Sequence, residues 1–212
     1  QPVVATGPTR EGFGFATAGS LGDATIGYPS WNFDLLTTVA YFALHIQYNG
    51  SLVGDSNYYI WNSSTLTGLV NTAHAHGVKV VVTIVGPHVT ADQCDALYNR
   101  ATTITQIVNQ VTLKGVDGVN IDYEGQLATC KNNDPTLNRS NQSLITALAR
   151  DFRVGLDAAK PGYYLSIDTY SGSAAGNDGY FNIPDLASYV DSLFIMAYDM
   201  DFSGYNRAGC HQ

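Results

Sequence analysis

The sequence has few charges, little lysine and few cysteines. Only 13% of its 212 residues are Asp, Glu, Lys or Arg, and ten Lys and Arg stand against eighteen Asp and Glu. The net charge of −8 and pI near 4.8 argue against nucleic acid or an anionic membrane surface as partner. With 45% hydrophobic residues, the low charge also argues against disorder. No run of 18 apolar residues occurs, so no membrane-spanning helix is expected. Three cysteines, Cys94, Cys130 and Cys210, form no CxxC pair, which argues against zinc and thioredoxin-like chemistry. GxSxG, HExxH and phosphate-cradling glycine loops are absent, and Gly12-Phe13-Gly14 opens a strand instead of following one. His74 and His76 are two apart on a helix and do not face each other, so they make no metal pair. Neither a cofactor nor a metal is expected.

What the sequence does have is regular alternation of strands and helices. Strands are predicted over Gly12–Thr17, Thr38–Leu44, Lys79–Val85, Val116–Glu124, Tyr163–Asp168 and Ser192–Tyr198. Lys79–Val85 is a β-branched run of the kind buried on both faces of a parallel sheet. Leu66, Leu69, Val70 and Ala73 form a helical stripe that opens at Ser64 and stops at Gly77. Ala101, Ile104, Val108 and Val111 form a second, stopped by Gly115. Leu144, Ala147, Leu148, Phe152 and Leu156 form a third, ending near Pro161-Gly162. Such alternation implies a parallel sheet with helices outside it.

Chemistry concentrates in Lys114-Gly115-Val116-Asp117-Gly118-Val119-Asn120-Ile121-Asp122-Tyr123-Glu124. On a strand, Asn120, Asp122 and Glu124 share one face while Val119, Ile121 and Tyr123 share the other. Two carboxylates held in one confined space tend to split their pKa values and so supply both an acid and a base. Glu124 precedes a glycine-containing loop, at the strand end where (β/α) barrels hold their chemistry. Asp117 has the opposite parity and reads as structural.

Asp117-Gly118-Val119-Asn120-Ile121-Asp122-Tyr123-Glu124 resembles the DGxDxDxE signature of glycoside hydrolase family 18, and Phe194-Ile195-Met196-Ala197-Tyr198-Asp199 resembles its MxYD strand. Val82-Thr83-Ile84-Val85-Gly86 stands where the family often has SxGG and departs from it. The resemblance implies a (β/α)8 TIM barrel. Residues 1–212 then form one catalytic domain lacking the last two βα units, because six units do not close eight strands. A self-sufficient open six-stranded sheet is the alternative. A second polypeptide or a further C-terminal segment is expected to complete the barrel.

The resemblance also implies roles. Glu124 is the expected general acid, in apolar surroundings supplied by Tyr123 and Tyr198. The nucleophile is the substrate's own 2-acetamido oxygen. Asp122 orients that acetamido group and Tyr198 hydrogen-bonds its carbonyl, completing the catalytic set. Asn120, Asp199 and Met196 are the expected substrate-binding residues. Asn120 is a departure: the commoner residue is an Asp that shares a proton with the next Asp, whereas an amide can only donate a hydrogen bond to Asp122. This variant resembles the chitobiase and the spore-cortex or peptidoglycan branches. The expected substrates are chitin or its oligosaccharides, with peptidoglycan or N-glycans as alternatives. A lectin-like, non-catalytic barrel is the rival of another class, and such members typically lose the acid that Glu124 supplies. Trp31 and Trp61 are candidates for stacking on sugar rings.

Cys94 and Cys130 follow the third and fourth strands on the loop side. A disulfide between them is expected, with free buried thiols as the alternative. A bridge implies an oxidising, extracellular compartment, and Gln1-Pro2-Val3-Val4 reads as a mature terminus after signal cleavage. Cys210 is left over and implies a partner cysteine beyond Gln212. Asn49, Asn62, Asn138 and Asn141 stand in glycosylation sequons.

Overall fold

A computed structural model describes residues 10–175 and 179–197. Six strands form one sheet: β1 (Phe13–Thr17), β2 (Thr38–His45), β3 (Lys79–Val85), β4 (Gly118–Asp122), β5 (Tyr164–Tyr170) and β6 (Ser192–Met196). They pair in sequence order and every pairing is parallel. The helices are α1 (Ser56–Trp61), α2 (Ser64–Ala75), α3 (Thr90–Tyr98), α4 (Arg100–Lys114) and α5 (Asn141–Ala159), with a single turn at Ile183–Leu186.

All of β3 after Lys79 is buried, as a strand covered on both faces must be. Helices α2 and α5 bury most of the stripes read from the sequence, whereas α4 buries Thr103, Ile107 and Val111 and leaves Ala101 of its expected stripe exposed. On α2 the buried residues are Leu66, Leu69, Val70 and Ala73. On α5 Leu144, Leu148, Phe152 and Leu156 recur every fourth residue and face the sheet. Gly77 and Gly115 take positive φ, 72° and 66°, and end α2 and α4. Arg100 of α4 donates to Asp151 of α5 at 2.7 Å, joining neighbouring helices. Among the described residues, no helix is long and apolar enough to cross a membrane.

The sheet curls. The Phe13 ring of β1 lies 5.6 Å from the Phe194 ring of β6, although the two strands stand at opposite edges. Phe15 packs edge-on against Phe194 at 5.0 Å and against Phe42 at 5.7 Å. Below them Tyr164 of β5 donates to Glu11, just before β1. The concave face is thus lined by aromatic rings, and the convex face carries the helices.

At the foot of β4, Asp117 is structural. Its Oδ2 accepts from Val80 N at 2.7 Å and from His74 Nε2 at 2.8 Å. Gly118 follows at φ 158°, and a β-carbon there would lie 1.8 Å from the Tyr164 carbonyl oxygen. Close strand approach therefore requires glycine at this position. His76 does not join His74: it faces Asp34 at 3.3 Å and stacks on Phe33.

Several expectations need correction. Strand β4 is shorter than predicted and ends at Asp122, so Glu124 belongs to the following loop. Cys94 and Cys130 form the expected disulfide, with Cα atoms 5.2 Å apart. Cys94, however, lies on α3 and not on a loop. Trp61 is fully buried and donates to Gln110 Oε1 at 2.8 Å, so it is core and not a sugar platform. Asn141 is also buried, with both amide ends bonded to the backbone of Gln126 and Ala128, and cannot carry a glycan in the folded chain. Tyr198, Asp199 and Cys210 lie outside the described residues.

Candidate active site

Polar side chains on the concave face come from three adjacent strands. In register, Thr83 of β3 lies beside Asn120 of β4, and Asn120 beside Ser166 of β5. Two residues further along, Asp122 and Asp168 occupy the same face. The Ser166 hydroxyl donates to Asn120 Oδ1 at 2.6 Å. That fixes the amide's orientation, so its Nδ2 donates to Asp168 Oδ2 at 2.9 Å and to Thr83 Oγ1 at 3.3 Å. The hydrogen bond from Asn120 therefore runs across the sheet to Asp168, and not along the strand to Asp122 as expected. Neighbouring strands lie about 4.8 Å apart, whereas same-face residues on one strand are about 6.6 Å apart.

Asp122 and Asp168 are 6% and 2% exposed. Each has one buried carboxyl oxygen with no hydrogen-bond partner among the described residues. Desolvation, reinforced by repulsion from Glu124, pushes Asp122 up to about 7. Desolvation and then repulsion from Asp122 push Asp168 up to about 8, against the stabilising hydrogen bond from Asn120. The pair therefore retains a proton at pH values where an ordinary aspartate has lost its own.

Glu124 sits above this pair at the mouth. A cavity of about 260 Å³ is lined by Phe15, Thr17, Phe42, Asp122, Glu124 and Asp168. Glu124 is exposed, and Tyr123 does not line the cavity with it. Tyr123 points the other way and is buried so tightly that a β-carbon on Gly86 would lie 2.5 Å from its ring. The apolar walls are Phe15 and Phe42 instead. The Glu124 main chain is held firmly. Its carbonyl accepts from Gln93 Nε2 at 2.8 Å, and Gly125 N donates to the Tyr170 hydroxyl at 2.7 Å. Tyr180 donates to Gln93 Oε1 at 2.7 Å and fixes that amide in turn.

This arrangement can be compared with known proteins. The sequence profile of the glycosyl hydrolases family 18 matches residues 15–211. The chain belongs to that family. Solved chitinase structures share its fold. A chitinase from Bacteroides thetaiotaomicron is 18% identical with a TM-score of 0.63, over 90% of this chain and 55% of its own. The Group IV chitinase of Ostrinia furnacalis is 15% identical with a TM-score of 0.69, over 91% and 52%. The second catalytic domain of the Ostrinia furnacalis Group II chitinase, solved as a mutant in complex with (NAG)5, is 17% identical with a TM-score of 0.66, over 88% and 50%. At these identities the likeness shows the fold, a (β/α) barrel. The chain spans about half the length of these structures. No curated protein matches the sequence.

Within this family 18 frame, the structure brings Asp122 and Glu124 to one cavity, whereas Asn120, expected to bind substrate, is fully buried, bonded to Asp168, and does not line it. Met196 is buried at the end of β6, level with Tyr170 of β5, and does not line the cavity. Asp168 is the residue that the sequence reading missed. Its signal was available: Ser166, Asp168 and Tyr170 alternate with Leu165, Ile167 and Thr169, as Asn120 and Asp122 alternate with Val119 and Ile121.

Proposed function

We propose that this chain carries the catalytic machinery of a glycosidase that cleaves β-linked N-acetylglucosamine polymers. The observation behind this reading is the placing of Asp122 and Glu124 at one cavity mouth, at the C-terminal end of β4. Chitin and its oligosaccharides are the first substrates to consider. Solved neighbours are chitinases, and one of them holds (NAG)5. Peptidoglycan is the second, favoured by the amide at position 120.

In this mechanism Glu124 donates its proton to the leaving glycosidic oxygen as the acetamido oxygen of the same sugar attacks the anomeric carbon. The positive charge that develops on the acetamido group faces Asp122. Glu124 then returns as base to activate water, and configuration is retained. Phe15 and Phe42 line the cavity and supply aromatic surface for sugar CH groups. The edges of β1 and β6, each paired on one side among the described residues, support completion of the barrel by a second polypeptide or a further C-terminal segment. The Cys94–Cys130 disulfide supports secretion into an oxidising compartment.

Glu124→Gln keeps the shape of the side chain and removes the transferable proton. Turnover should fall by at least ~10²-fold on whichever of chitin oligomers, peptidoglycan or glycoprotein the parent cleaves, with products identified by mass spectrometry. Near-parental turnover by this variant on every such substrate would refute the assignment, and binding by the parent without any turnover would favour a carbohydrate-binding barrel.

A further inference from the structure

The amide at position 120 leaves β4 one carboxyl short of the commoner motif, and the adjacent strand carries one. We infer that Asp168 is a positioning residue that shares a proton with Asp122, in place of the carboxyl that Asn120 lacks. This inference rests on the function proposed above.

The geometry supports it in three ways. First, Asn120 is locked between Ser166 and Thr83 with its NH2 group aimed at Asp168 Oδ2. The amide holds the relocated carboxyl and cannot itself take up a proton. Second, Asp122 and Asp168 line the same cavity, and each keeps one buried oxygen that no described residue satisfies. Third, the charged groups acting on Asp168 are Asp122 and Glu124, and both are acidic. From β6, the residue in register is Phe194, and from β1 the cavity receives Phe15 and Thr17. Two buried carboxylates without a cation do not both ionise, so the pair keeps a proton.

That proton has a use. While Asp122 holds it, the pair carries one negative charge in place of two. As the acetamido oxygen attacks and its group becomes positive, the proton moves within the pair to Asp168, leaving Asp122 as the carboxylate that faces the new charge. When water opens the intermediate, the proton returns to Asp122. The pair gains and loses no proton over the cycle. Asn120 bonds Asp168 Oδ2 throughout, because the other oxygen, Oδ1, is free to carry the proton.

Asp168→Asn in the full-length protein tests this. The variant is isosteric and can still accept from Asn120, so a merely structural role would survive it. Turnover should fall at least tenfold with KM little changed, and the alkaline limb of the pH–rate profile should move down by about one unit, since Asp122 is no longer held protonated by its neighbour. Asn120→Asp combined with Asp168→Asn returns the carboxyl to β4 and should recover most of the loss. In ¹³C-aspartate NMR, Asp122 should titrate in two steps in the parent and in one in Asp168→Asn. Parental kcat and pH profile in a folded Asp168→Asn variant would overturn the inference, as would a double variant no better than the single one or a one-step parental titration. If Asp168→Asn is silent while Glu124→Gln abolishes turnover, the inference alone falls. If Glu124→Gln is silent, the proposed function falls.

Discussion

Raising the pH should destabilise this fold over a window where most proteins change little. Asp122 and Asp168 sit at about 7 and about 8, against an ordinary aspartate near 3.8. Their folded-state values are raised, so the folded state binds protons that the unfolded chain has already released. Stability from this source is fully present below about pH 4 and is lost as pH climbs towards 8. Each proton retained only by the fold costs about 1.4 kcal/mol per pH unit. Between pH 5 and 7 that amounts to about 3 kcal/mol if the pair keeps one proton, and about 5 kcal/mol if it keeps both. These are large fractions of a typical domain stability of about 5–15 kcal/mol. Depressed carboxyls do not mask the effect. Asp151, where hydrogen bonds from Arg100 and Arg150 outweigh desolvation, loses its contribution only as pH falls below the usual carboxylate range. The assay is urea unfolding followed by circular dichroism at pH 5, 6 and 7, on the parent and on Asp122→Asn/Asp168→Asn. The variant controls for histidine titration, because it leaves every histidine in place. The parent should lose about 3 kcal/mol or more over this window, and the variant should lose less by that amount. Parallel curves for the two proteins would refute the reasoning.

Gly118→Ala should destabilise by about 3 kcal/mol or more, read as a shift in urea midpoint, because its β-carbon would meet the Tyr164 carbonyl oxygen at 1.8 Å. Replacing both Cys94 and Cys130 by alanine should cost roughly 4 kcal/mol on the chain-entropy account of their 36-residue separation, measured against the parent under non-reducing conditions. Gln93→Ala frees the Glu124 carbonyl and the Tyr180 hydroxyl, and should lower kcat more than it lowers melting temperature if Glu124 must be held in place.

The fold was legible where periodicity was strong. β3 was read to its exact bounds because a β-branched run between a terminating glycine and a following glycine admits little else. α2 and α5 were read because their stripes persist for several turns and glycine or proline ends them; α4 was read as a helix ended by glycine, but its buried face is Thr103, Ile107 and Val111, and only Val111 of these was expected. The six-residue α1 and nine-residue α3 were missed, since a helix of one to three turns offers too few positions to display a stripe. Asp117 was read correctly from parity alone, and its bond to Val80 N follows from where that parity points it. Sequence parity could also group Asn120 with Asp122, but it could not say that the partner of Asn120 lies on another strand. Such partners are fixed by sheet register, which a local pattern does not encode.

Register also explains why an amide is tolerated at position 120. A carboxylate there would lie within hydrogen-bonding distance of Asp168 and two residues from Asp122, beneath a cavity that Asp122, Glu124 and Asp168 already line. Either that added group or one of its neighbours would have to stay protonated at every working pH. An amide avoids that conflict, holds Asp168 through its NH2 group, and leaves a pair of carboxyls to manage a single proton. Asn120→Asp in the otherwise unchanged chain is therefore the crowded arrangement, with a further carboxyl added to Asp122, Asp168 and Glu124. It should remain folded, titrate in an additional step, and reach full turnover over a narrower and shifted pH range than the parent. A pH–rate profile of Asn120→Asp that superimposes on the parental one would mean that position 120 does not couple to the pair, and the link from Asn120 through Asp168 to Asp122 would have to be abandoned.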